Sequence, residues 1–299
     1  MEGRRDNVKI GLDCPLCLLH RGSLEIQRAT SDPDKQLKTL LKITEIISNN
    51  LRENAVPAYV GTLRDRAIKM ETGNPDPYKH EKRQSNKTAL NLVSKAQSSV
   101  ANSGNEFEMF RTACVYSAIA NLIEFDMLNY SFDFEAFERY MTATRFEIDH
   151  SAKALELIRR SRNVVVLTDN AGEIAFDKIL VEQLRKLGPK VSVAVKGAPI
   201  LHDATIEDAE EVGMTNVADE VITTGTDTVG LWIEEASKEF QSRLSKADLA
   251  IVKGMGHYET LTEQEIGRPL LYLFVAKCNP VALNVGTKKG NGIILLSQT

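Results

Sequence analysis

The chain has a single tryptophan, four cysteines and no apolar run that approaches the length of a membrane span. Four thiols in 299 residues do not make a disulfide scaffold. A spanning helix needs about 20 consecutive apolar residues. The start, Met1 to Arg5, is charged and no apolar stretch follows it, so a secretory signal is not expected. Charge of one sign is also lacking: 37 Lys and Arg face 41 Asp and Glu, for a net charge of -4. The pI is about 5.9, whereas nucleic-acid-binding domains usually show a basic face or a pI above about 9. The densest basic run, Lys79 to Lys87, also carries His80 and Glu81. Missing too are a Walker-type phosphate loop, a G-x-G-x-x-G and an H-E-x-x-H. These absences predict a cytoplasmic protein with reduced thiols, whose partner is a small molecule and neither a nucleic acid nor a membrane.

What is present is an ordinary globular composition, 42% hydrophobic and 26% charged, in a length that favours two domains or one large one. Residues 1–160 read as a helical domain. Leu37, Leu40, Leu41, Ile43, Ile46 and Ile47 recur at spacings of three and four, which marks a helix with a broad apolar stripe. A second helix is expected over Tyr59 to Glu71, then a loop at Gly73 to Pro77, then helices near 85–102, 107–123, 133–144 and 146–159. Residues 161–299 change texture. Val164 to Leu167 is a short apolar run of the kind that forms a buried parallel strand, and a helix with Phe176, Ile179, Leu180, Leu184 and Leu187 on one face follows. Further strands are expected at 191–195, 220–222, 249–252, 271–276, 281–285 and 292–296, with helices at 205–213 and 231–244. That alternation predicts a Rossmann-like, three-layer α/β domain with a mostly parallel sheet.

Ligands of open parallel sheets bind beyond the carboxyl ends of the strands. Asp169 and Asn170 follow the first strand, His202 and Asp203 the second, and Lys253 to Thr260 the fourth. Asp169, Asn170 and Asp203 offer oxygen donors only, which suits a hard divalent cation such as Mg²⁺ or Mn²⁺. The helix that starts near Gly172 points free N–H groups at the same place, and Lys253 or Lys277 can add a fixed positive charge for a phosphoryl group. The plainer readings are an N-cap for Asn170, a tight turn for the glycines near Lys253, solvated lysines, and incidental histidines at 202 and 257.

The chain resembles the damage-control phosphatase family, long labelled domain of unknown function 89, in its short archaeal and bacterial branch. The resemblance runs through Cys14-Pro15-Leu16-Cys17, Asp76-Pro77-Tyr78 with Lys82 and Asn86, and Asn121 to Phe125. It continues in Asp169-Asn170-Ala171-Gly172-Glu173, Lys196 to Pro199 with Asp203-Ala204-Thr205, Lys253-Gly254 through Glu259-Thr260, and Lys277-Cys278. It implies a divalent-metal-dependent phosphatase that clears damaged or surplus phosphometabolites, such as sugar phosphates or oxidised phosphopantetheine derivatives. The family's metal ligands fall on Asp169, Asn170 and Asp203. Its substrate and active-site contacts fall on Asn121, Glu259 and Lys277, with Lys253 beside them. Two positions depart from the family pattern. Glu124 stands where an aspartate is usual, and His202 where an asparagine is usual, which turns metal preference toward Co²⁺ or Ni²⁺.

Cys14 and Cys17, at C-x-x-C spacing, have three readings: packed thiols, half of a secondary metal site with His20 or Cys278, or a redox pair. Two rival functions remain at this level. One is an S-adenosylmethionine-dependent carboxyl methyltransferase, the activity proposed for a eukaryotic relative; the loop after the first strand lacks the glycines usual for that cofactor. The other is a non-catalytic metal- or nucleotide-binding protein, which the Glu124 change keeps open.

Overall fold

The computed structural model describes residues 8, 10–124 and 137–297. The charged start, Phe125 and residues 133–136 of the expected 133–144 helix lie outside these residues.

Three helices come first: α1 (Asp13–Ala29), α2 (Pro33–Asn50) and α3 (Pro57–Thr72). α2 begins where the Asp32 side chain accepts the N–H groups of Asp34 and Lys35 and Pro33 presets φ. α3 also opens on a proline and stops at Gly73, whose φ of 75° closes the last turn. The three pack through Ile26, Ile43, Ala67 and Ile68, with Leu18, Ile47 and Val60 beside them. The stripe expected on α2 is narrower than its sequence suggests. Thr39, Ile43 and Ile47 are buried along one i, i+4 row, while Leu37 and Leu41 face solvent. α1 had no clear periodic signal, because its buried positions are Leu18, Gly22, Glu25 and Ile26, only two of them large and apolar.

α4 (Lys79–Ala101), α5 (Glu106–Ala120), α6 (Phe137–Ala143) and α7 (Ser151–Ile158) follow. The helix expected over 146–159 starts late. Ile148 and Asp149 form a short strand, β1, pairing with Ile293 and Ile294, and the Asp149 carboxylate accepts the Ser151 N–H where α7 begins.

The α/β part runs β2 (Asn163–Leu167), α8 (Glu173–Lys186), β3 (Lys190–Val195), α9 (Ile206–Glu211), β4 (Glu220–Thr223) and α10 (Lys238–Lys246). It continues with β5 (Leu249–Lys253), α11 (Met255–Leu261), β6 (Leu270–Val275), α12 (Asn279–Val285) and β7 (Gly292–Ser297). Two expectations fail here. Residues 281–285 are the helix α12, not a strand: Pro280 starts it, Gly286 ends it, and Val281, Ala282 and Val285 share its buried face. Residues 231–237 are not helical; α10 begins only after Ser237, whose side chain accepts the Phe240 N–H.

The sheet has seven strands in the order β1-β7-β6-β5-β2-β3-β4, parallel except for the β6–β7 pair. Alternate residues feed two cores. Val164, Val166, Val193, Ile251 and Leu273 face α4, α5 and α8, while Val165, Leu167, Val252, Tyr272 and Phe274 face α10, α11 and α12. The result is helix, sheet and helix in three layers. β2 pairs with β3 on one side and β5 on the other, so the winding reverses between β2 and β5. A crevice opens at the carboxyl end of such a switch point. Among the described residues, no helix is long and apolar enough to cross a membrane.

Gly22 lets α1 approach its neighbours closely: a Cβ there would lie 2.5 Å from Ile43 Cδ1 and 2.8 Å from Arg64 Cδ. Gly22→Val is expected to destabilise the protein by about 1–3 kcal/mol through overpacking, read as a lower midpoint in thermal denaturation.

Candidate functional site

β2 ends at Leu167, and the chain passes through Thr168 to Gly172 before α8. Asn170 forms an isolated antiparallel bridge with Asp203 in the loop after β3. Ala171 donates its N–H to His202 O at 2.9 Å, and Ala204 donates to Asp169 O at 2.7 Å. The bridge joins the two loops and sets Asp169, Asn170 and Asp203 together at the switch point. Leu201, just before His202, has a φ of 46°, the left-handed region that side chains avoid. Its N–H is held by Asp65 Oδ1 of α3 at 3.1 Å.

The loop after β5 completes the arrangement. Gly254 has a φ of 81°, and a Cβ there would sit 1.9 Å from Asp169 Oδ2. The Asp169 carboxylate therefore rests on the Gly254 backbone. On the other side, Asn86 of α4 accepts the Gly172 N–H at 2.7 Å and donates to Asp208 at 2.9 Å and Glu211 at 2.7 Å. Lys82 reaches Asp208 at 2.7 Å, and Asp208 caps α9 with Thr205.

A cavity of about 140 Å³ opens here, lined by Asp169, Asn170, Asp203, His202, Glu124 and Lys277. Arg21, Glu259, Cys14, Cys17 and Cys278 also line it. Eight of the residues nominated from sequence thus share one cavity: Asp169, Asn170, Asp203, Glu124, Glu259, Lys277, Cys14 and Cys17. Asn121 and Lys253 do not line it. Asn121 lies behind Asp169, donating to its Oδ2 at 2.9 Å. Lys253 is fully buried, with its ammonium on Glu173, on Asp177 at 2.9 Å and on Ser117 O at 2.9 Å. Arg21 was missed. It follows Cys14 and Cys17 on α1 at i+7 and i+4, so the cysteine pair already marked its face.

The charges are matched in pairs. Glu124 accepts from Arg21 Nη1 at 2.9 Å and from the Lys277 ammonium, which also donates to Asn121 O at 2.6 Å. Burial would raise the Glu124 carboxyl, but Lys277 and Arg21 outweigh it and hold it at about 2. Lys196 lies 3.4 Å from Asp203 Oδ2. Burial pushes Asp203 to about 6 in spite of Lys196, and burial with Glu173 and Asp203 nearby raises Asp169 well above the usual carboxylate range. His202 is pulled down to about 3 by burial, with Arg21, Lys277 and Lys82 adding to it, so its ring is neutral. Glu259, half-buried with Oε2 accepting the Ala58 N–H at 3.1 Å, is pushed up by burial to about 7. Burial also raises the Cys14 thiol and pushes Cys278 to about 12. All described cysteines are free thiols.

Among the described residues, no group of three or more His, Cys, Asp or Glu is arranged to hold a metal ion. A metal here would draw on two carboxylates and an amide. That donor set fits a hard divalent cation: Asp203 raises the proton affinity of Asp169, and Asp203 Oδ2 has the Lys196 ammonium 3.4 Å away. A dication between them would favour the charged form of both.

A model of the damage-control phosphatase ARMT1-like domain matches residues 11–293. An uncharacterised protein of Methanocaldococcus jannaschii is 36% identical over 294 residues, covering 97% of this chain and 96% of its own. A damage-control phosphatase of Archaeoglobus fulgidus is 32% identical over 287 residues, covering 95% and 98%. The crystal structure of a DUF89 family protein from Pyrococcus horikoshii superposes with a TM-score of 0.84 at 30% identity, covering 96% of this chain and 98% of that one.

Gly254→Ala is expected to displace the Asp169 carboxylate, because the three atoms nearest a Cβ there all belong to it, the first at 1.9 Å. Divalent-metal affinity should fall at least about tenfold, as calorimetric titration with Mn²⁺ can measure.

Proposed function

The chain belongs to the damage-control phosphatase ARMT1-like family, and from that premise we propose that it is a divalent-metal-dependent phosphatase of small phosphate monoesters. Asp169, Asn170 and Asp203 hold the metal. The observation that supports this reading is the Asn170–Asp203 bridge, which joins the two loops that carry Asp169, Asn170 and Asp203 at the switch point, in a cavity also lined by Arg21 and Lys277. A bound dication supplies positive charge for the phosphoryl oxygens and acidifies water.

The protein's own groups divide the remaining work. Lys277 has three N–H donors and commits two, to Glu124 and to Asn121 O, so the third meets a phosphoryl oxygen. Arg21 stands across Glu124 and adds charge to the same cavity. Glu259 keeps a proton near neutrality and gives it to the leaving oxygen. Lys253 acts from behind the site and does not touch substrate. The neutral His202 imidazole beside Asp203 turns metal preference toward Co²⁺ or Ni²⁺. The substrates are phosphorylated metabolites small enough for the cavity, in keeping with the clearance of damaged or surplus phosphometabolites.

Hydrolysis of p-nitrophenyl phosphate is expected to need added metal, to stop with EDTA, and to fall by orders of magnitude in Asp203→Ala with the thermal midpoint little changed. Full turnover in protein shown by elemental analysis to be metal-free would sink the reading. A thermal shift with S-adenosylmethionine and none with Mn²⁺ would favour the methyltransferase instead.

The assignment of Glu259 has its own signature. A carboxyl that must be protonated loses activity as pH rises through its folded value, so kcat/KM should decline above pH about 7. Glu259→Gln should remove that limb. It should also slow an alkyl phosphate by about 100-fold or more and p-nitrophenyl phosphate, whose leaving group needs no acid, by far less. Equal losses on both substrates would take Glu259 out of proton transfer.

A further inference from the structure

Behind the metal loop lies a closed ring of four hydrogen bonds. Asn121 Nδ2 donates to Asp169 Oδ2 at 2.9 Å and to Glu173 Oε2 at 3.1 Å. Asn170 Nδ2 donates to Asp169 Oδ2 at 3.1 Å and to Glu173 Oε2 at 2.8 Å. Each amide group has two protons, and each is used once. All four side chains are at least nine-tenths buried. The other Glu173 oxygen, Oε1, takes the Lys253 ammonium, whose two remaining donors go to Asp177 and Ser117 O.

A carboxylate can only accept. With Asp169 on one side and Glu173 on the other, the two amides have no choice of orientation: each must turn its NH₂ into the ring. Each then turns its Oδ1 to the opposite side of Cγ. For Asn170, which lines the cavity, that oxygen is the donor atom a cation requires. Asn121 Oδ1 is buried without a hydrogen-bond partner, as expected when the ring and not the oxygen sets the rotamer. The ring also commits Asp169 Oδ2, which leaves Oδ1 as that residue's ligand atom.

We infer that Glu173, held by Lys253, is a positioning residue that orients the Asn170 amide so that it offers oxygen and not nitrogen to the metal. The inference rests on the metal reading above and assigns roles to two buried residues that cannot touch substrate. It also accounts for a lysine buried without solvent contact at the end of β5. That ammonium supplies the charge that keeps an acceptor in place behind the ring.

Glu173→Gln keeps the shape and removes the constraint. The Lys253 ammonium, as the charged donor, takes the glutamine oxygen, which turns the glutamine NH₂ into the ring, so an asparagine must turn over to accept from it. Calorimetric titration with Mn²⁺ alone should show the Kd weakened by about 10–100-fold, the usual effect of losing a group that orients a metal ligand. Val100→Ala, a core truncation on α4, should lower the thermal midpoint and leave the Kd at its wild-type value. Glu173→Gln could fail to fold because Lys253 loses a counterion. The triple variant Glu173→Leu, Lys253→Met and Asp177→Asn then decides, since it removes the ring's acceptor and the buried charges around it as a unit. A folded variant of either kind with wild-type Mn²⁺ affinity overturns the inference. Wild-type protein with no saturable Mn²⁺ binding would instead remove the metal reading, and this one with it.

Discussion

Two loops that leave neighbouring parallel strands have no reason to converge unless something ties them. Here the tie is backbone: the antiparallel bridge of Asn170 to Asp203, flanked by the Ala171 and Ala204 hydrogen bonds. It brings the buried Asp203 carboxylate close enough to raise the proton affinity of Asp169, a cost that a cation or a proton relieves. The other site features serve that tie. Gly254 makes room for one carboxylate, Asn86 holds the Gly172 N–H, and Asp65 reaches over from α3 to hold the strained turn at Leu201.

The helical layer is therefore part of the site. Arg21 from α1 and Glu124 from the turn after α5 meet Lys277 from beyond β6 in one buried group. α4 supplies Lys82 and Asn86, and α5 supplies Ser117 and leads into Asn121. The core is shared in the same way, since residues of α4 and α5 pack with those of β2, β3 and α8 in one cluster.

What could be read beforehand was what has a local signal. β2, β3, β5 and β6 are short runs buried on both faces, so their composition announces them, and the residues just past them were correctly put at one sheet edge. Local signals also misled. Residues 281–285 look like a strand because they are apolar, and only Pro280 and Gly286 mark the helix. The two residues of β1 are too few to form a pattern. Lys253 was placed at a strand end, where it does stand, but whether its amine faces the cavity or the interior depends on α5 and α8, which are distant in sequence. Arg21 has no local signal for the same reason, since its partner Glu124 lies 103 residues away, and Asn86, named in the resemblance, is given its role only by the Gly172 N–H of the other half of the chain.

The strand order has a consequence for how the molecule is made. β2, β3 and β4 leave the ribosome in sequence and can pair at once, yet the second edge of β2 belongs to β5, which is synthesised after α10. Until then Val164 to Leu167 present open amides and carbonyls along a nearly all-apolar strand, a template for pairing with another nascent chain. The bridge that joins the loops after β2 and β3 can form in that interval, before its glycine support at residue 254 exists. Vectorial synthesis thus builds the anionic centre of this protein first and its cradle afterwards, and the arrival of β5 closes the exposed edge and the site together.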